Sequence, residues 1–367
     1  MCVYLWCSNR STSLYISEVF YVERSITMEM IRVENAIGTV LCHDMTRIVP
    51  GEFKGVAFKK GHQVKEEDIP TLLAMGKEHI YVWEKQSGML HENQAAERLG
   101  KLCKGSNIKG STIKEGKMNL IAECDGLLKM DLKKMTEINK IADIMIATRH
   151  HNFMVKKGDK LAGTRVIPLV VKEEKVQWAE AIVGNDPIMW IEPQIDHRIG
   201  IVTTGSEVYH GRIQDSFGPV LREKAAEYNV DVVDQIIVDD NPAHIGQAIK
   251  TLEAKGATMI ICTGGMSVDP DDRTPSAIKG TGAKIITYGA PVLPGAMFLL
   301  AYKGDMPIIG LPGCAMYAKR TMFDLVFPRL LCGEKLTQEA FAQYGHGGLC
   351  LECDTCSFPK CGFGKGC

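Results

Sequence analysis

From residue 198 onward, short apolar runs alternate with stretches of helical spacing. Runs at 199–202, 230–238, 257–261, 284–286 and 307–310 read as strands, and 220–228, 243–254, 275–279 and 314–331 as helices. Such alternation predicts an α/β fold with a doubly wound, mostly parallel sheet. Upstream the pattern is mixed. Apolar runs at 36–41, 79–83, 120–122 and 143–148 read as strands, and 163–171 as one buried strand. Helices are expected from Glu66 to Gly76, over 92–102, near 132–141 and over 173–182. Asn185-Asp186-Pro187 is a break, and 193–197 reads as an inter-domain hinge.

These changes of pattern divide the 367 residues. Residues 1–29 are expected to be a disordered extension, since the apolar Met1–Cys7 stretch has no basic segment before it and is too short for a signal peptide. A β-rich N-terminal domain is expected over 30–85, an α+β middle domain with the hinge over 86–195, the α/β domain over 196–333, and a Cys-rich tail over 334–367. The formal net charge of −1 gives no electrostatic footprint for nucleic acid. No apolar run approaches the ~20 residues of a membrane helix, so neither nucleic acid nor membrane is expected as a partner.

The chemistry gathers where ligands bind such sheets, beyond the carboxyl ends of the strands. The first strand runs into Thr203-Thr204-Gly205-Ser206-Glu207, the second into Asp239-Asp240-Asn241-Pro242, and the third into Thr263-Gly264-Gly265-Met266-Ser267, with Asp272 and Pro275 following. Glycines there let backbone N–H groups approach an anion, and hydroxyls add donors. Glu207, Asp239 and Asp272 on the same edge would repel a phosphate unless a cation lay between, which asks for Mg²⁺.

These residues carry a resemblance. Residues 196–332 resemble the molybdopterin-binding domain shared by molybdopterin molybdotransferase, molybdopterin adenylyltransferase and the competence-damage-inducible nucleotide pyrophosphatases. Thr204-Gly205-Ser206-Glu207, Asp239-Asp240, Thr263-Gly264-Gly265 through Asp272, Leu293-Pro294-Gly295 and Leu311-Pro312-Gly313 fall in that family's order. The opening around Gly38, Val40 and Asp44 is similar to the molybdotransferase branch, in a divergent form. The resemblance implies that Thr204, Gly205, Ser206, Thr263, Gly264, Gly265, Ser267, Pro312 and Gly313 bind the cofactor. It further implies that Glu207, Asp239 and Asp272 act in catalysis through Mg²⁺. Three places depart from the molybdotransferases. Pro50 to Phe58 lacks the aspartate of their Met-Asp-Gly-Tyr-Ala loop, Leu293-Pro294-Gly295-Ala296 stands where they read Lys-Pro-Gly-Lys, and Leu311-Pro312-Gly313-Cys314-Ala315 where they read Leu-Pro-Gly-Asn-Pro.

Thirteen cysteines complete the picture. Eight are scattered and read as thiols of a reducing cytoplasm; five crowd into the tail. Cys350, Cys353, Cys356 and Cys361 have a spacing able to wrap zinc or an iron–sulfur cluster, with His346 and Cys367 nearby. Metal binding is expected to order this Gly-rich tail independently of the sheet. His150-His151, Lys54, Lys59, Lys60, Lys319 and Arg320 are secondary candidates, read first as solvated.

The expected function is molybdenum cofactor biosynthesis: binding molybdopterin or adenylyl-molybdopterin and promoting Mg²⁺-dependent molybdate insertion. A non-catalytic carrier serving a molybdoenzyme client and a Mg²⁺-dependent nucleotide pyrophosphatase are the alternatives. The resemblance also implies a homodimer.

Overall fold

The computed structural model describes residues 29–49, 53–82, 88–267 and 273–366. The extension expected over 1–29 lies outside them apart from Glu29, and so do Asp272 and Cys367. The chain forms two compact units, Met1–Ser87 and Gly88–Cys367.

In the first unit β1 (Glu29–Arg32) is paired antiparallel with the last strand, while β2 (Met45–Val49) and β3 (Phe53–Phe58) form a ribbon. Helix α1 (Ile69–Ala74) precedes β4 (His79–Val82), the partner of β1. Val33, Leu41, Leu72 and Ile80 form its core. The strand expected over 36–41 is a turn instead. Thr39 N–H donates back to Ala36 O, and Gly38 sits at φ +87°, which an extended strand excludes.

The second unit opens with β5 (Met89–His91), α2 (Glu92–Cys103), β6 (Ile108–Gly110), β7 (Lys117–Ala122), β8 (Gly126–Met130) and α3 (Leu132–Asn139). There follow β9 (Ile144–Thr148), β10 (Phe153–Val155), β11 (Lys160–Val166), β12 (Val170–Lys172), α4 (Glu173–Val183) and β13 (Met189–Pro193). Small antiparallel sheets ordered β6-β7-β11-β9, β10-β8-β13 and β12-β5 enclose one core. The strand expected over 163–171 is two strands, because Pro168 has no N–H to give a ladder. Arg98 clamps α2 to α4, reaching Glu180 at 2.7 and 2.6 Å and Glu173 at 2.7 Å. The expected hinge is tied down: Ile195 N–H donates to Leu331 O, and buried His197 lies 3.1 Å from Leu330 O.

The main sheet follows. Its elements are β14 (Arg198–Thr204), α5 (Ser206–Tyr209), α6 (Phe217–Ala226), β15 (Asp231–Val238), α7 (Pro242–Ala254), β16 (Met259–Thr263) and α8 (Thr274–Gly280). Then come β17 (Lys284–Tyr288), β18 (Leu299–Lys303), β19 (Met306–Leu311), α9 (Met322–Leu331) and α10 (Gln338–Ala342). Strand order is β15-β14-β16-β19-β18-β17, parallel over the first four and antiparallel over the last two pairings. This is the expected mostly parallel α/β sheet. Alternate residues serve its two faces. Ile201, Ile261 and Ile309 meet Leu221, Phe323 and Phe327 on one side. Val202, Ile260 and Ile308 meet Ile245, Ile249 and Ile278 on the other.

Two elements differ from expectation. The helix expected over 314–331 is a short 3₁₀ turn, Gly313–Met316, followed after a break by α9. Thr321 starts α9 because its hydroxyl accepts Phe323 N–H while Asp324 takes Thr321 N–H, a capping box. The tail is not an independent appendage either: Phe341, Tyr344 and Phe363 are buried in the same core as α9, and the Phe298 and Phe341 rings lie 5.9 Å apart. No helix among the described residues is long and apolar enough to cross a membrane.

Candidate functional site

Four parallel strands end together, and the residues after them interlock. Thr204, buried at the end of β14, has its hydroxyl 3.2 Å from that of Thr274, the first residue of α8. Thr274 Oγ1 also donates to Gly264 O at 2.8 Å, and Thr274 N–H donates to Gly265 O. The turn after β16 is therefore closed by hydroxyls from both sides. Only glycine fits it. Gly264 has φ +84°, and a Cβ there would lie 2.2 Å from Thr204 O. Gly265 has φ +55°, with Thr274 Oγ1 2.8 Å from the place of a Cβ. Thr263 is wholly buried, and its hydroxyl has no partner among the described residues.

The β14 exit is held equally firmly. Gly205 N–H donates to Val238 O, joining this loop to the end of β15. Ser206 gives its backbone N–H and its hydroxyl to Asp240 Oδ2. Glu207 is exposed, and its carboxylate folds back over Gly205, 3.2 Å from where a Cβ would sit. Asp239 turns away to His244 at the start of α7, with Nδ1 2.7 Å from Oδ1. That hydrogen bond holds the Asp239 carboxyl below its ordinary range. Ser267 offers its carbonyl to the Tyr288 hydroxyl. Pro312 and Gly313 follow β19 and open the 3₁₀ turn.

The structure thus interlocks Thr204 with Gly264 and Gly265, and ties Gly205 and Ser206 to the β15 exit. Asp272 falls outside the described residues, and the others supply no group of three His, Cys, Asp or Glu that could hold a metal ion. Mg²⁺ commonly takes one or two carboxylates and draws its other ligands from water and substrate phosphates. In the structure the Glu207 carboxylate lies over Gly205 and one oxygen of Asp239 is taken by His244.

Sequence reasoning missed three supports. Asp240, more than Asp239, fixes the Ser206 loop. Asp215 accepts the N–H groups of Phe217 and Gly218 and starts α6 three residues before the expected helix. Gln235 links Asp215 to Thr203. The Asp215-Ser216 pair was a readable cap signal; the Gln235 link, across the sheet, left none.

In the tail, Cys350, Cys353, Cys356 and Cys361 line a cavity of about 640 Å³ together with Lys319 and Arg320. His346 is committed to Gly366 O at 2.6 Å. Of the histidine pair, His150 is exposed, whereas His151 is half-buried and accepts Met130 N–H on Nδ1.

Comparison with known proteins bears on the sheet. Residues 200–331 match the family described as "Probable molybdopterin binding domain". The molybdopterin-binding resemblance holds for this domain. Residues 30–84 match a family described as a domain of unknown function. A CinA-like protein of Mycobacterium sp. (strain MCS) is 37% identical over 81 residues, 22% of this chain and 19% of that protein. Another, from Mycolicibacterium vanbaalenii, is 39% identical over 77 residues, 21% of this chain and 18% of its own. The chain thus spans about a fifth of the length of these curated relatives. Among solved structures, the molybdopterin biosynthesis enzyme MoaB from Thermus thermophilus aligns at 23% identity and a TM-score of 0.31, covering 38% of this chain and 98% of that one. CinA from Thermoplasma acidophilum aligns at 19% identity and 0.27, covering 32% and 88%.

Proposed function

We propose that this protein acts in molybdenum cofactor biosynthesis, binding molybdopterin or adenylyl-molybdopterin on the edge formed by Thr204–Glu207, Thr263–Gly265, Ser267 and Pro312–Gly313. The observation that carries the reading is the Thr204–Thr274–Gly264 knot within a domain that matches the molybdopterin-binding family. Its glycines let the turn close against Thr204 and Thr274 at the strand ends, and phosphate is a group that such glycine turns receive. Asp240 holds the Ser206 loop in place for that contact.

The reaction we favour is molybdate insertion with release of AMP. Mg²⁺, when bound, would polarise the substrate's pyrophosphate. Glu207 and Asp239, with Asp272, are the residues to hold it; Asp239 would offer the oxygen that His244 does not take. Molybdate, a molybdoenzyme client, a homodimeric state and a cytoplasmic setting belong to the same proposal.

Incubating the purified protein with adenylyl-molybdopterin and Mg²⁺, with and without molybdate, tests it. Molybdate-dependent AMP release supports insertion. Release without molybdate supports a nucleotide pyrophosphatase, and tight binding without release a carrier. Absence of both binding and release would refute the reading.

A further inference from the structure

We propose that the tail cavity binds a [4Fe–4S] cluster through Cys350, Cys353, Cys356 and Cys361. This goes beyond the pterin reading and does not depend on it. All four thiols line one cavity of about 640 Å³. Cys350 and Cys361 pack against the core of the α/β sheet, and exposed Cys353 and Cys356 lie on the loop between them. The frame is therefore fixed at both ends.

The donors suit a cluster and not a single ion. Zinc needs its four ligands on one tetrahedron, with sulfurs about 2.3 Å from the metal. The cavity lining offers four cysteines and no histidine around a volume roomier than one ion needs, which matches a cubane that takes one thiolate at each iron corner. The spacing agrees. In the Cys-x2-Cys-x2-Cys run of bacterial ferredoxins the cluster's fourth ligand comes from elsewhere in the chain, so the first two gaps do not dictate the last. Here a turn over 357–360, closed by Lys360 N–H to Ser357 O, returns the chain to Cys361.

Two further features fit an anionic iron–sulfur group. Lys319 and Arg320 stand on the cavity wall, and four thiolates leave such a cluster net negative. Lys319 reaches Asp354 O at 3.0 Å, while Arg320 lies over the Phe358 ring and is paired with Glu227 and Asp324, so Lys319 is the cation whose charge faces the cavity. Moreover, among the described residues no carbonyl or side chain accepts the backbone N–H of any residue from 351 to 358. Free successive N–H groups are what cluster sulfurs accept. The loop is joined to the sheet domain's own motif, since Leu293 N–H donates to Gly348 O and Cys350 N–H to Leu293 O.

The test is anaerobic reconstitution of the full chain with ferrous iron, sulfide and a thiol reductant. The expected product carries about four irons and four acid-labile sulfides per chain, with a broad visible band that dithionite bleaches. Cys353→Ser and Cys356→Ser, at exposed positions, should each lower bound iron and sulfide several-fold while leaving the melting temperature of the metal-free protein unchanged. Cys124→Ser, outside the tail, should keep the full complement. Zinc in place of iron, iron without labile sulfide, no stoichiometric metal, or undiminished clusters in the two tail variants would each overturn the proposal.

Discussion

Ser206 gives both its backbone N–H and its hydroxyl to one oxygen of Asp240, each at 2.9 Å. One carboxylate on the β15 exit thereby sets the position of the whole β14 exit.

Asp240→Ala should loosen the loop more than the fold. Hydrogen bonds to charged groups contribute about 1.5–3 kcal/mol each; here solvent access reduces the loss of global stability to about 1 kcal/mol. Pterin affinity should fall at least tenfold. Urea denaturation and equilibrium binding separate the two effects, and unchanged affinity would detach this loop from ligand binding.

The Gly264 turn should tolerate no side chain. With φ +84° and backbone 2.2 Å from a new Cβ, Gly264→Ala combines strain with a clash that only main-chain movement can relieve. A destabilisation of about 2–3 kcal/mol is expected. Gly246 is the control. It lies inside α7 with nothing within 4 Å of a Cβ, so Gly246→Ala should stabilise by about 0.5–1 kcal/mol. Equal effects at the two sites in urea titrations would contradict the geometry.

Breaking the buried pair of Lys224 and Asp324 should be costly. Their charged atoms lie 2.5 Å apart with side chains only 8% and 3% exposed. Lys224→Met leaves Asp324 with Arg320 and the Thr321 N–H but without its buried cation. A loss of about 3 kcal/mol in chemical denaturation is expected. A loss below about 1 kcal/mol would mean that Arg320 alone satisfies the carboxylate.

His151 should make stability depend on acid. Burial first, then the charges of Lys129 and Arg329, lowers its pKa from 6.5 to about 4, against the opposing pull of Glu334. Its Nδ1 already accepts Met130 N–H, so the added proton displaces a hydrogen bond. Because the folded pKa lies below the unfolded one, the contribution is complete above pH 6.5 and is lost as pH falls toward 4. Each pH unit in that window removes up to about 1.4 kcal/mol. His151→Asn keeps an acceptor for Met130 and should flatten this part of the stability–pH curve. An equally steep curve in the variant would assign the acid sensitivity elsewhere.

The parallel strands were legible because burial on both faces makes them near-continuous apolar runs, as in Ile199–Val202 and Met259–Cys262. Strand β18 was not read, although it is equally apolar. Its antiparallel return to β19 hangs on the Lys303-Gly304-Asp305 turn, whose Gly304 at φ +62° was the available signal. The site was half readable. Glycines after strands announce themselves by type and position, so Gly264 and Gly265 stood out. The division of labour between Asp239 and Asp240 did not, since it depends on which carboxylate faces a loop 34 residues away in the chain.

Phe341, Tyr344 and Phe363 complete a core whose other members, such as Phe298 and Phe327, precede them in the chain. During synthesis the ribosome therefore delivers the sheet with one end of its apolar interior still open, and the covering residues come later. Until residue 363 has emerged, the nascent domain carries exposed aromatic surface of the kind chaperones hold.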